Sequence, residues 1–172
     1  MINIIFSIGI ILTTTLIGYV FAQSYEQRIR MLHHFIFSIK IMETDMSYKK
    51  SYLLDILIRL SETKDRVVSN FFKGIYSEMH NNPGMDFETL WIKNADLFLK
   101  DTPFSNEDMK IIKELGKNLG KIDFINQEKL FQYIHKRLEI QLKEAEEQRD
   151  KKSRVYKNLG VAIGITIVVI LI

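Results

Sequence analysis

Chemistry is most readily suspected in LGKNLGKIDFINQ, residues 115–127, where Gly-Lys occurs twice. A phosphate-binding loop needs four residues between its glycines and a Ser or Thr after the lysine, so that amides wrap phosphate and a hydroxyl holds magnesium. Here three residues separate Gly116 from Gly120, and Ile122 follows Lys121, so the spacing fails. The four histidines, His33, His34, His80 and His135, show no HExxH spacing, and adjacent His33 and His34 diverge on a helix, so no metal is expected. Cysteine is absent, which removes disulfides, thiolate metal ligands and cysteine nucleophiles together. Glu43 and Asp45 in METDMSY stand two apart and diverge on a helix; they read as solvated surface or a partner contact rather than an acid–base pair. No Ser-His-Asp set is suggested. Neither catalytic residues nor cofactors are expected, and enzymatic activity is unsupported.

The glycines then need a structural explanation, because glycine costs roughly 1 kcal/mol relative to alanine inside a helix. Gly120 is well placed as a helix terminator. Gly116, one turn earlier, is either a tolerated surface glycine or a point where another backbone comes close. Gly160 and Gly164 form a GxxxG pair inside the apolar end of the chain, a pattern that permits close helix contact in lipid.

The elements that must position these residues follow from composition. The chain has 172 residues, a net charge of +3, two prolines and eight glycines. One domain of ordinary size built from long helices is expected, with no nucleic-acid role. Hydrophobicity is sharply partitioned. Residues 1–25 carry no charged side chain, and neither do residues 158–172. About 20 apolar residues cross a bilayer as a helix; the first segment reaches that length and the second falls short, with Tyr156 and Lys157 placed to extend it. Val20-Phe21-Ala22 resembles a cleavage site, but no Lys or Arg precedes the apolar run, so an uncleaved span is expected. Arg28, Arg30 and Lys40 follow the first segment, and Lys151, Lys152, Arg154 and Lys157 precede the second, which puts both termini outside the cytoplasm. The expected organisation is a transmembrane helix at 1–23, a cytoplasmic helical bundle with a charged stalk at 24–157, and a transmembrane helix at 158–172.

Within the middle, apolar steps of three and four mark amphipathic helices. The first begins near Ser24 with Ile29, Leu32, Ile36, Ile39, Met42 and Met46 inward, and the second spans Ser51 to Ser61. Asp65 caps a third with Val68, Phe71, Phe72, Ile75 and Met79 inward; Asp86 caps a fourth with Phe87, Leu90, Trp91 and Leu97 inward. Ser105 and Asp108 form a capping box for a fifth, and Asp123 caps a last helix running towards the membrane. The fold class is therefore all-α: an antiparallel bundle of five or six helices flanked by two terminal transmembrane helices. Glu146 to Arg154 has no apolar residue and reads as a solvated stalk.

The order of these features resembles one family. LIGYVFAQSYEQR closes the first span, METDMSY lies on the first bundle helix, LGKNLGKIDFINQ precedes a long charged helix, and YKNLGVAIG enters the terminal apolar segment. The chain resembles the stage III sporulation protein AB family of endospore-forming bacteria over essentially its whole length. That family is in turn similar to the inner-membrane platform proteins of type II secretion and type IV pilus machines. The family carries Ser before the Asp of the glycine segment, where Ile122 stands here. The resemblance implies a membrane platform component of the channel between mother cell and forespore, in the mother-cell membrane around the forespore. Its partners would be a secretion-type ATPase, other membrane proteins of that complex and further copies of itself. The alternative is a membrane-tethered regulatory or adaptor module unrelated to secretion.

Overall fold

A computed structural model describes residues 2–49, 51–82, 84–119 and 124–171, and among them every regular element is helical. In chain order these are α1 (Ile2–Ser47), α2 (Leu53–Ser61), α3 (Arg66–Asn81), α4 (Phe87–Phe98), α5 (Asn106–Asn118), α6 (Phe124–Gln148), a π-helical turn (Arg149–Ser153) and α7 (Arg154–Leu171).

Local chemistry sets the helix starts. The Asp65 carboxylate accepts from the amides of Val67 and Val68, both at 3.0 Å, and opens α3. Asp86 accepts from Thr89 at 3.2 Å and opens α4. At α5 the capping box is complete: Asp108 N donates to Ser105 Oγ at 3.1 Å, and Ser105 N donates to Asp108 Oδ2 at 2.7 Å. Gly120 and Asp123, the expected stop of α5 and cap of α6, lie outside the described residues.

The expected new helix start near Ser24 is not seen: α1 runs through that point. No proline interrupts the sequence there, so nothing ends the backbone ladder. The charged stretch before α7 departs the other way. It breaks α-helical pairing with the five-residue π-turn RDKKS, a wider turn with i→i+5 pairing that no sequence signal announced.

The chain forms two compact units. One comprises Arg30–Leu142 and the other Met1–Ile29 with Lys143–Ile172. Among the described residues the first contains six helical segments, in which α2 packs on α3, α3 on α4 and α4 on α5. Its core is aromatic. Trp91 is fully buried and meets Phe71 edge-on at 5.0 Å; Phe35 packs on Phe71, Phe72 and Phe104 at 6.0 to 6.3 Å. Burying each such ring is worth roughly 1.5–3 kcal/mol. Leu97 departs from expectation and stands 64% exposed, while Leu99 is buried. The buried stripe of α4 runs through Leu90, Trp91, Asn94 and Ala95, which places Leu97 beyond its edge.

In the second unit, Ala22, Arg28, Ile29 and Ala145 are buried. Arg28 Nη1 donates to Gln148 Oε1 at 3.4 Å, and the rings of Tyr25 and Tyr156 stack at 6.1 Å. Among the described residues no helix is long and apolar enough to cross a membrane. The expected spans fall partly on side chains outside the description, those of residues 1–6, 8, 11, 21, 171 and 172.

Candidate functional site

Gly116 lies buried on α5 beneath the indole of Trp91. A Cβ there would sit 2.1 Å from Trp91 Cδ1 and 2.2 Å from Cγ. The indole Nε1 donates to the carbonyl of Ile112 at 2.8 Å, one turn before Gly116. The close approach expected at Gly116 is real, but the approaching group is a side chain, not a second backbone. Only glycine leaves the helix surface low enough for the ring to reach that carbonyl.

A true backbone contact occurs in the other unit. A Cβ on Gly160 would lie 2.7 Å from the carbonyl oxygen of Thr14 and 3.3 Å from Cα of Gly18; one on Gly18 would lie 2.6 Å from the carbonyl oxygen of Tyr156. The first half of α1 and α7 therefore cross at a glycine on each helix. Gly164 is buried one turn further along. Gly18 was not singled out from the sequence, although its signal was there: a small residue in the apolar segment opposite Gly160. Away from the crossing the side chains are apolar and exposed, among them Leu12, Leu16, Ile17, Val20, Ile163, Ile165 and Val169. Three threonine hydroxyls bond their own helix. Thr13 donates to Gly9 O at 2.8 Å, Thr14 to Ile10 O at 3.0 Å and Thr166 to Ala162 O at 2.9 Å.

The two carboxylates of METDMSY separate, as helical spacing requires. The reading of Asp45 as solvated surface does not hold: it is only 3% exposed, because it accepts from Arg59 Nη1 at 2.7 and 3.0 Å and from Lys49 at 2.7 Å within the bundle. Glu43, on another face of α1, accepts from Lys40 at 2.8 Å. Its Oε2 lies 3.3 Å from His135 Nε2, close but without hydrogen-bond alignment. Burial pushes the His135 imidazole below its ordinary range, against the pull of the Glu43 charge. The two groups face a cleft of about 760 Å³ between α1 and α6 that also holds His33, Lys136 and Glu139. Phe37, 62% exposed, stands between this cleft and a second of about 680 Å³ bounded by Ile41, Arg59, Glu62, Thr63 and Lys64. Sequence reasoning missed Phe37 and Arg59, since neither breaks a helical pattern. Among the described residues no three or more His, Asp or Glu side chains are arranged to hold a metal.

Comparison with known proteins places this architecture. Residues 3–172 match the family described as Stage III sporulation protein AB. The chain belongs to the stage III sporulation protein AB family. A curated relative of that name from Bacillus subtilis (strain 168) is 21% identical over 171 residues, covering 99% of each chain. A solved structure described as stage III sporulation protein AB shares the fold, with a TM-score of 0.68 at 18% identity, covering 73% of this chain and 98% of that one.

Proposed function

We propose that this family member is a non-enzymatic membrane platform component of a secretion-like channel complex between mother cell and forespore, coupling a cytoplasmic ATPase to the membrane assembly. The observation that carries the membrane part is the glycine crossing of α1 and α7. Its outer surface is apolar, and the hydroxyls of Thr13, Thr14 and Thr166 are satisfied by their own helices. In hydrocarbon every polar group must find its partner internally, and small residues let helices touch without a hydrophobic driving force. The excess of Lys and Arg on the inner sides of residues 1–25 and 158–172 supports a cytoplasmic bundle with both termini outside. The channel role and the ATPase partner rest on family membership and on the family's similarity to secretion platforms.

Two measurements test this. A reporter fused after Ile172 should be active only outside the cytoplasm; activity inside would remove the second span. The full-length protein, extracted in detergent from sporulating cells, should co-purify with a secretion-type ATPase. A complex lacking any ATPase, in a strain whose sporulation is unaffected by loss of the gene, would leave the adaptor alternative standing instead.

A further inference from the structure

The cleft beside Phe37 carries two features that the bundle itself leaves unused. Phe37 is 62% exposed, although the same helix buries Leu32, Phe35 and Ile39 completely. The charges are unevenly met. Arg59 reaches Asp45 through Nη1 alone, Asp45 is shared with Lys49, and Lys64 has no ion pair among the described residues. With Glu62 included, this group of charges leaves one positive charge over.

We propose that this cleft, between α1 and the end of α2, docks an acidic amphipathic helix of a partner protein. An apolar side chain would lie on Phe37 and Ile41. A neighbouring carboxylate would meet Lys64 and the free nitrogens of Arg59. The volume, about 680 Å³, takes a few side chains. An apolar anchor beside a carboxylate at helical spacing is the chemistry that meets the exposed ring and the unpaired positive charge at once. The whole surface lies within the Arg30–Leu142 unit, so it depends on neither the membrane nor the channel reading.

The test uses the full-length protein in micelles of an uncharged detergent. A fluorescent synthetic helical peptide with Leu along one face and Glu flanking it is titrated in, beside the same peptide with Lys for Glu. The acidic peptide should bind saturably, and the basic one at least about tenfold more weakly. Phe37→Ala and Lys64→Gln should each lower affinity about tenfold, with unchanged fluorescence from Trp91. Lys64 makes no bundle ion pair, so that variant keeps the fold. Equal binding of the two peptides, no saturable binding, or indifference to both substitutions would overturn the proposal. So would displacement of the peptide by phosphatidylglycerol vesicles, which would assign the cleft to lipid, or by dimerisation of the protein itself.

Discussion

The indole of Trp91 occupies the space that a side chain at Gly116 would need. Its Nε1 donates to Ile112 O at 2.8 Å, while its Cδ1 lies 2.1 Å from the position of a Gly116 Cβ. Gly116→Ala therefore gains roughly 1 kcal/mol of helix propensity but must displace a fully buried ring and break its hydrogen bond. Overpacking of this kind typically costs about 1–3 kcal/mol, so the net effect is destabilising, and Gly116→Leu is worse. Trp91 is the single tryptophan, so its fluorescence during urea titration of the full-length protein in micelles reads this unit directly. A raised midpoint for Gly116→Ala would show that the ring relocates without loss.

Gly74 on α3 makes a second tight contact. A Cβ there would meet Asn94 Oδ1 at 2.1 Å and Phe98 Cε2 at 2.6 Å. Asn94 is fully buried; its Nδ2 donates to Leu90 O at 2.8 Å, and its Oδ1 has no partner among the described residues. Gly74→Ala should destabilise by about 1–3 kcal/mol in the native background. In an Asn94→Ala background the same change should cost much less, because the nearest obstacle is gone. The double-mutant cycle in urea is the measurement; strict additivity would mean that Phe98 alone sets the spacing.

What could be read from the sequence was local. Asp65, Asp86 and the Ser105–Asp108 box announced three helix starts, because an N-cap answers a need of the next three residues. The stripe through Leu90 and Trp91 announced burial, but Leu97 was misplaced, since an apolar residue at the edge of a stripe can face either way. The continuity of α1 through Ser24 was hidden by the change from apolar to charged residues, which alters the surroundings of a helix without ending it. At the candidate sites, Gly116, Gly160 and Gly164 stood out by type. Their neighbours did not, because the reach of Trp91, the meeting with Gly18 and the grip of Arg59 on Asp45 are tertiary events.

The Gly18–Gly160 crossing predicts a geometric rather than a chemical phenotype. Gly160→Leu must push α7 away from the carbonyl of Thr14 and the Cα of Gly18. The chain has no cysteine, so Tyr25→Cys and Tyr156→Cys, whose native rings stack at 6.1 Å, report proximity on a clean background. A short bismaleimide should join the two thiols efficiently when Gly160 is present and poorly in Gly160→Leu, with helical circular dichroism unchanged. Undiminished cross-linking in the leucine variant would mean that the helices tolerate separation at that point and are held elsewhere.

The His135 environment sets a pH dependence whose sign can be worked out. Burial holds the folded imidazole below its ordinary value near 6.5, Glu43 opposes this and Lys40 reinforces it. As pH falls through the unfolded value, the unfolded chain takes up the proton first, so stability is lost between that pH and the lower folded value. The urea midpoint read through Trp91 should therefore drop between about pH 7.5 and 5.5, and His135→Gln should drop less. His33, Lys136 and Glu139 face the same cleft, so only the difference between variant and native slopes is diagnostic. Glu43→Gln sharpens the test. It removes the charge that favours the imidazolium while leaving Lys40, so the folded value falls further and the loss on acidification becomes steeper. If Glu43→Gln flattens the profile instead, Glu43 rather than burial governs the imidazole, and its 3.3 Å approach to His135 acts as a working ion pair.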